Sequence, residues 1–107
     1  MTDAEIRDKI LAALYGVWKE RGFDAWVPLL FLSERLNLEP VAAERNVELL
    51  AKLGLVEGQR FIGGGGLYRL SANGVLECER KGLQPDFALV KREGRGSALG
   101  KGRRGTR

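Results

Sequence analysis

Arg45 and Asn46 stand together in a stretch of helical spacing, and Arg60 and Arg69 bracket a run of four glycines, Gly63–Gly66. Guanidinium and amide side chains do recognition chemistry: they donate to base edges, phosphate oxygens and carboxylates in fixed geometries. Arg35 and Ala42 join this set, Arg35 as a further phosphate donor and Ala42 as a small residue on the same helix face. A second group follows at the C-terminal end, where Lys91, Arg92, Arg95, Lys101, Arg103, Arg104 and Arg107 face a single acid, Glu93. The chain's net charge of +4 therefore divides into about −2 for residues 1–90 and +6 for residues 91–107. Basic arms attached to small domains commonly meet polyanions, since neutralised phosphates release counterions.

Catalytic chemistry finds little support. There is no histidine, which removes the commonest general base and the usual partner of a nucleophilic serine or cysteine. Cys78 lies between Glu77 and Glu79, where negative charge disfavours a thiolate, so it reads as packing. One cysteine without histidine cannot supply a structural zinc site, and no metal or cofactor is expected. Glu77 and Glu79 fall on different faces of a helix, and Glu44 with Glu48 reads as a solvated surface pair. The glycine run is not a phosphate-binding loop, because no Gly-Lys-Ser/Thr follows it and it leads into a strand. The chain is read as a non-enzyme.

The elements that would position these residues follow from local signals. Thr2 and Glu5 form a capping box for a first helix over about 3–21, with Ile6, Ile10, Ala13, Leu14, Val17 and Trp18 inward and Gly22 as its stop. A very short strand is expected within 23–27. A second helix over about 28–37 follows, with Leu29, Leu32 and Leu36 inward and either Leu30 or Phe31 left outside. Asn37 suits a left-handed turn and Pro40 the first position of a third helix, about 40–53. That helix buries Ala43, Val47 and Leu50, is sealed by Leu53 and Leu55, and closes at Gly54. It exposes Val41, Ala42, Glu44, Arg45, Glu48 and Leu49, with Asn46 turned partly inward. Val56–Ile62 and Leu67–Leu70 read as paired strands, and Ser71 caps a fourth helix over about 72–81 that ends near Gly82. Residues 91–107 are rich in Gly, Arg and Lys and are expected to be disordered.

This order of elements, together with Leu50–Glu57 (LAKLGLVE) and Tyr68–Gly74 (YRLSANG), resembles the winged helix-turn-helix domains of small MarR-like and PadR-like regulators. The resemblance covers residues 3–82. It implies an α+β, mainly helical fold with a three-helix core, a two-stranded wing and a short C-terminal helix over 1–90, followed by the basic tail. It further implies a small transcriptional regulator that places the third helix in the major groove of double-stranded DNA. Arg45 and Asn46 would read bases, while Arg35, Arg60, Arg69 and the tail cations would hold phosphates. The acidic Glu44 and Glu48, and a wing tip without Lys or Arg, depart from the family's pattern. An RNA-binding module and a protein-interaction module using Trp26, Leu30 and Phe31 are the alternatives, and a homodimer stays open. The acidic N-terminus does not resemble a signal peptide, and the longest apolar run, Ala25–Leu32, is too short to span a bilayer, so a cytoplasmic protein with no membrane partner is expected.

Overall fold

The computed structural model describes residues 1–90. The basic residues Lys91, Arg92, Arg95, Lys101, Arg103, Arg104 and Arg107, and the disorder expected of their segment, lie outside the described residues. The chain starts with α1 (Asp3–Arg21), whose capping box has both reciprocal bonds, Glu5 N–H to Thr2 Oγ1 at 3.1 Å and Thr2 N–H to Glu5 Oε1 at 2.8 Å. A 3₁₀ turn over Gly22–Asp24 leads into β1 (Val27–Pro28) and α2 (Leu29–Arg35). Asn37 turns the chain at φ 56°, and α3 (Pro40–Lys52) begins on its proline. β2 (Val56–Arg60) and β3 (Gly66–Leu70) form the hairpin, α4 (Ala72–Lys81) is capped by Ser71, and a last 3₁₀ turn spans Phe87–Leu89.

The fold is α+β and mainly helical, with four α-helices and a three-stranded antiparallel sheet of order β1-β3-β2 among the described residues. The hairpin register pairs Val56 with Leu70 and Arg60 with Gly66, and β1 pairs Val27 with Tyr68. Pro28 sits on the outer strand of this sheet and opens α2, a place where a missing N–H does no harm. None of the described helices is long and apolar enough to cross a membrane.

The core centres on α1. Its face is wider than one stripe, because α3, α4 and the C-terminal 3₁₀ turn all contact it; Leu11 and Tyr15 are buried along with Ile6, Ile10, Ala13, Leu14 and Val17. Gly16 makes the last of these contacts possible. Asp86 N–H donates to Ala12 O at 2.9 Å, and a Cβ on Gly16 would lie 2.2 Å from Asp86 O. The segment 83–90 thereby returns to the core and buries Leu89. Gly74 plays the same part where α4 meets the loop after α3: a Cβ there would lie 2.0 Å from Leu55 O.

Several inward and outward assignments differ from the sequence expectation. In α3 the buried set is Ala42, Ala43, Asn46, Val47 and Leu50, so Ala42 leaves the outward face. The helix packs against both α1 and α2, and two neighbours cover a broader stripe than one. Leu53, expected to seal the helix, is 60 % exposed, while Leu55 is half-buried and closes that end instead. In α2 Leu30 is the residue left outside, and Phe31 packs on the core.

Candidate nucleic-acid interface

The outward face of α3 carries Val41, Glu44, Arg45, Glu48 and Leu49, all exposed or half-exposed. The helix is held at its N-terminus by Glu39, whose carboxylate accepts from the Val41 and Ala42 amides at 3.1 and 2.9 Å. Two free helix donors are thus satisfied by a side chain of the sign the helix dipole favours.

Arg45 points outward and is clasped by Asp3 of α1. Its Nε and Nη2 donate to Asp3 Oδ1 at 3.3 and 2.9 Å. Asn46 Nδ2 donates to the same oxygen at 2.9 Å and to Ala42 O at 2.8 Å, and Arg7 Nη1 donates to Asn46 Oδ1 at 3.1 Å. Asn46 is 2 % exposed. Both of its amide ends are committed to protein partners, so it is a buried strut between α1 and α3, and the base-reading role expected of it is corrected. The bonds from Asn46 and then Arg45 hold the Asp3 carboxyl below its ordinary range.

Arg60, at the end of β2, reaches back to the same face of α3. It bonds Glu48 through Nη1 and lies 3.4 Å from Glu44 Oε2 through Nη2. The register places it opposite Gly66, and its own strand β2 packs against α3. The two awkward acids of the sequence thus have a partner, and Arg60 and Arg45 belong to one surface.

Arg69 and Arg35 belong elsewhere. Arg69 Nε donates to Glu57 Oε1 at 2.7 Å, Nη1 donates to Phe23 O at 2.7 Å, and the guanidinium lies 4.2 Å from the Trp26 ring centroid. Arg35 donates to Ala88 O at 2.7 Å and stacks 4.7 Å from the Phe31 ring. Arg69 ties the middle strand β3 to β2 and to the turn before β1, and Arg35 ties α2 to the C-terminal 3₁₀ turn, so both arginines expected to hold phosphates already have protein partners away from the α3 face. Each guanidinium lies over one of the half-buried rings of Trp26 and Phe31, so of the expected apolar patch of Trp26, Leu30 and Phe31 only Leu30, 65 % exposed, is fully outside.

Cys78 is fully buried against Leu11 O, and burial, then Glu77, pushes its thiol up to about 11. Among the described residues no three His, Cys, Asp or Glu side chains gather as a metal site would require. Sequence reasoning missed Asp3 as part of the α3 surface. Its only signal was an acid in the first turn of α1, which the helix dipole explains without a partner.

No family model matches the chain, and no curated protein matches it in sequence.

Proposed function

We propose that this chain is a nucleic-acid-binding protein of winged helix-turn-helix type, a small transcriptional regulator that lays α3 in the major groove of duplex DNA with the β2–β3 hairpin alongside. The observation that carries this reading is the shared surface of α3 and the hairpin, with Arg45 outward at the middle of the helix and Arg60 bonded across to Glu48 and Glu44. The pairs on that surface are exposed, with Arg45 and Asp3 side chains 56 % and 49 % accessible. Such pairs are worth ~0–1 kcal/mol, so the arginines can turn their remaining N–H groups to a base edge or phosphate at small cost. The basic segment 91–107 supplies the sequence-independent part of the affinity by counterion release.

A second reading, a protein-interaction module, draws on a specific observation. Val41, Phe61 and Ile62 are exposed apolar side chains near the same surface, and each outward arginine already has a carboxylate. Titration of labelled duplex DNA, structured RNA and single strands at two salt concentrations, with the full chain and with residues 91–107 removed, separates the readings. The regulator predicts duplex binding by both forms, weakened by Arg45→Ala. Binding that vanishes entirely with the tail would deny the folded part any reading role, and no nucleic-acid binding at low salt would favour the protein partner.

A further inference from the structure

We propose that Asp3 is a positioning residue that aims Arg45 at a guanine edge in the major groove. The inference rests on the reading of α3 as the groove-facing helix and adds the base that it recognises.

The geometry builds outward from the core. Asn46 is anchored to Ala42 O at 2.8 Å and holds Asp3 Oδ1 at 2.9 Å; Oδ1 in turn takes Nε and Nη2 of Arg45. A buried amide thus fixes a carboxylate, and the carboxylate fixes the side edge of a guanidinium. A guanidinium has five N–H groups, and this arrangement uses one on Nε and one on Nη2. Nη1 and the remaining Nη2 hydrogen have no hydrogen-bond partner among the described residues. These outer hydrogens form the fork that matches two acceptors side by side.

Guanine alone among the bases presents two adjacent acceptors, O6 and N7, in the major groove. Adenine offers one acceptor beside a donor, cytosine a donor, and thymine one acceptor beside a methyl group. A phosphate could also accept from the fork, but it would stand close to the Asp3 charge, whereas a guanine edge carries no net charge. Asp3 therefore orients the arginine and biases it from backbone toward base. Hydrogen bonds from Asn46 and Arg45 keep the carboxyl in its charged form well below neutral pH.

The test is selection of the full-length chain on a library of randomised duplexes, followed by binding titrations on the selected duplex and on single-base variants of it. The wild-type chain should select a motif with one strongly preferred guanine, and replacing that guanine by adenine should weaken binding roughly 5- to 100-fold, the range of one bidentate contact. Arg45→Ala and Asp3→Ala should both flatten that position and leave the other positions as they were. Asp3→Asn, which keeps the shape and removes the charge, should lose most of the discrimination. It should also make the salt dependence steeper by up to about one unit of slope, as the released arginine turns to phosphate. Circular dichroism melts accompany each variant, and a loss confined to one base position is not what a folding defect produces. If Asp3→Ala and Asp3→Asn keep the guanine preference while Arg45→Ala loses it, Asp3 does not aim the arginine. If both Asp3 variants weaken every duplex equally, Asp3 is structural only. If the wild-type chain selects no motif, the reading of α3 fails and the inference with it.

Discussion

Replacing Arg69 by alanine discriminates between the role that the sequence implies, a phosphate contact beside the glycine tip, and the role that the geometry gives it. Three interactions converge on this one side chain, which is 29 % accessible: the Phe23 carbonyl at 2.7 Å, the Glu57 carboxylate at 2.7 Å and the Trp26 ring at 4.2 Å. A hydrogen bond from a charged donor contributes about 1.5 kcal/mol. A partly shielded cation–π contact contributes about 1 kcal/mol. The Glu57 pair, with the acid half-exposed, contributes ~0.5 kcal/mol after screening. These contributions share one guanidinium and do not add fully, which leaves about 2 kcal/mol for Arg69→Ala. At ~4–8 °C per kcal/mol for a domain of this size, the melting temperature should fall by roughly 8–16 °C. Urea unfolding followed by tryptophan fluorescence measures it, with Trp26 directly under the cation. Arg69→Lys sharpens the test, since lysine keeps the charge but has neither the planar face nor the fork, and should recover less than half of the loss. If Arg69→Ala stays within about 0.5 kcal/mol of wild type, below what any one strong contact implies, the structural assignment is wrong. Loss of duplex binding that Arg69→Lys restores would then return Arg69 to the interface.

Two further outcomes test the packing. Gly74→Ala should destabilise by about 2 kcal/mol even though alanine is the better helix former, because its Cβ would meet the Leu55 carbonyl oxygen at 2.0 Å. A thermal melt beside that of the exposed neighbour Asn73→Ala checks it, and equal melts would refute the close approach. The buried Cys78 thiol sets an alkaline limit: its folded value of about 11 stands above the ordinary 9.0, so its contribution is complete below pH 9 and disappears as pH rises through 11. The difference amounts to about 2–3 kcal/mol. Cys78→Ala should be less stable than wild type near neutrality and should lack this part of the alkaline decline; parallel stability curves for the two proteins from pH 8 to 11 would contradict it.

Element boundaries were legible wherever the chemistry is local. The Thr2–Glu5 box, Asn37 in its left-handed turn, Pro40 at the head of α3 and Ser71 on α4 each act within four residues of themselves, and sequence carries that information directly. The positions that escaped depend on what a second element brings. Ala42 reads as outward and Asn46 as only partly inward on an isolated α3, and both become buried because α1 and α2 flank it on two sides. Arg69 and Arg35 carry charge that suits phosphate, yet their partners lie 46 and 53 residues away, at Phe23 and Ala88. The return of residues 83–90 to α1 left only a faint trace, the apolar group Phe87, Leu89 and Val90 beyond Pro85, and required Gly16 to make room. The candidate surface was half legible for the same reason: Arg45 followed from helical spacing, Asp3 only from the crossing of α1 and α3.

The charge arrangement bears on how such a molecule would divide its work under the proposed reading. On the face of α3, Arg60 sits against two carboxylates and Arg45 against one, and with Arg7 beside Asn46 the group carries no net charge. Beyond a Debye length of ~8–10 Å that cluster attracts no polyanion, and at the distance of first encounter the folded part is repelled or ignored. The +6 of residues 91–107 reverses the sign and is long-ranged at low salt. Attraction and recognition then reside in different parts of the chain. The tail would govern the association rate and most of the salt slope, while α3 would contribute a smaller energy that only a matched base edge recovers. Acids that looked like a flaw in a DNA-reading helix acquire a purpose in this division. By neutralising the arginines they reduce binding to the wrong duplex more than to the right one, since only the right one meets the N–H groups that the carboxylates leave free with equally directed acceptors.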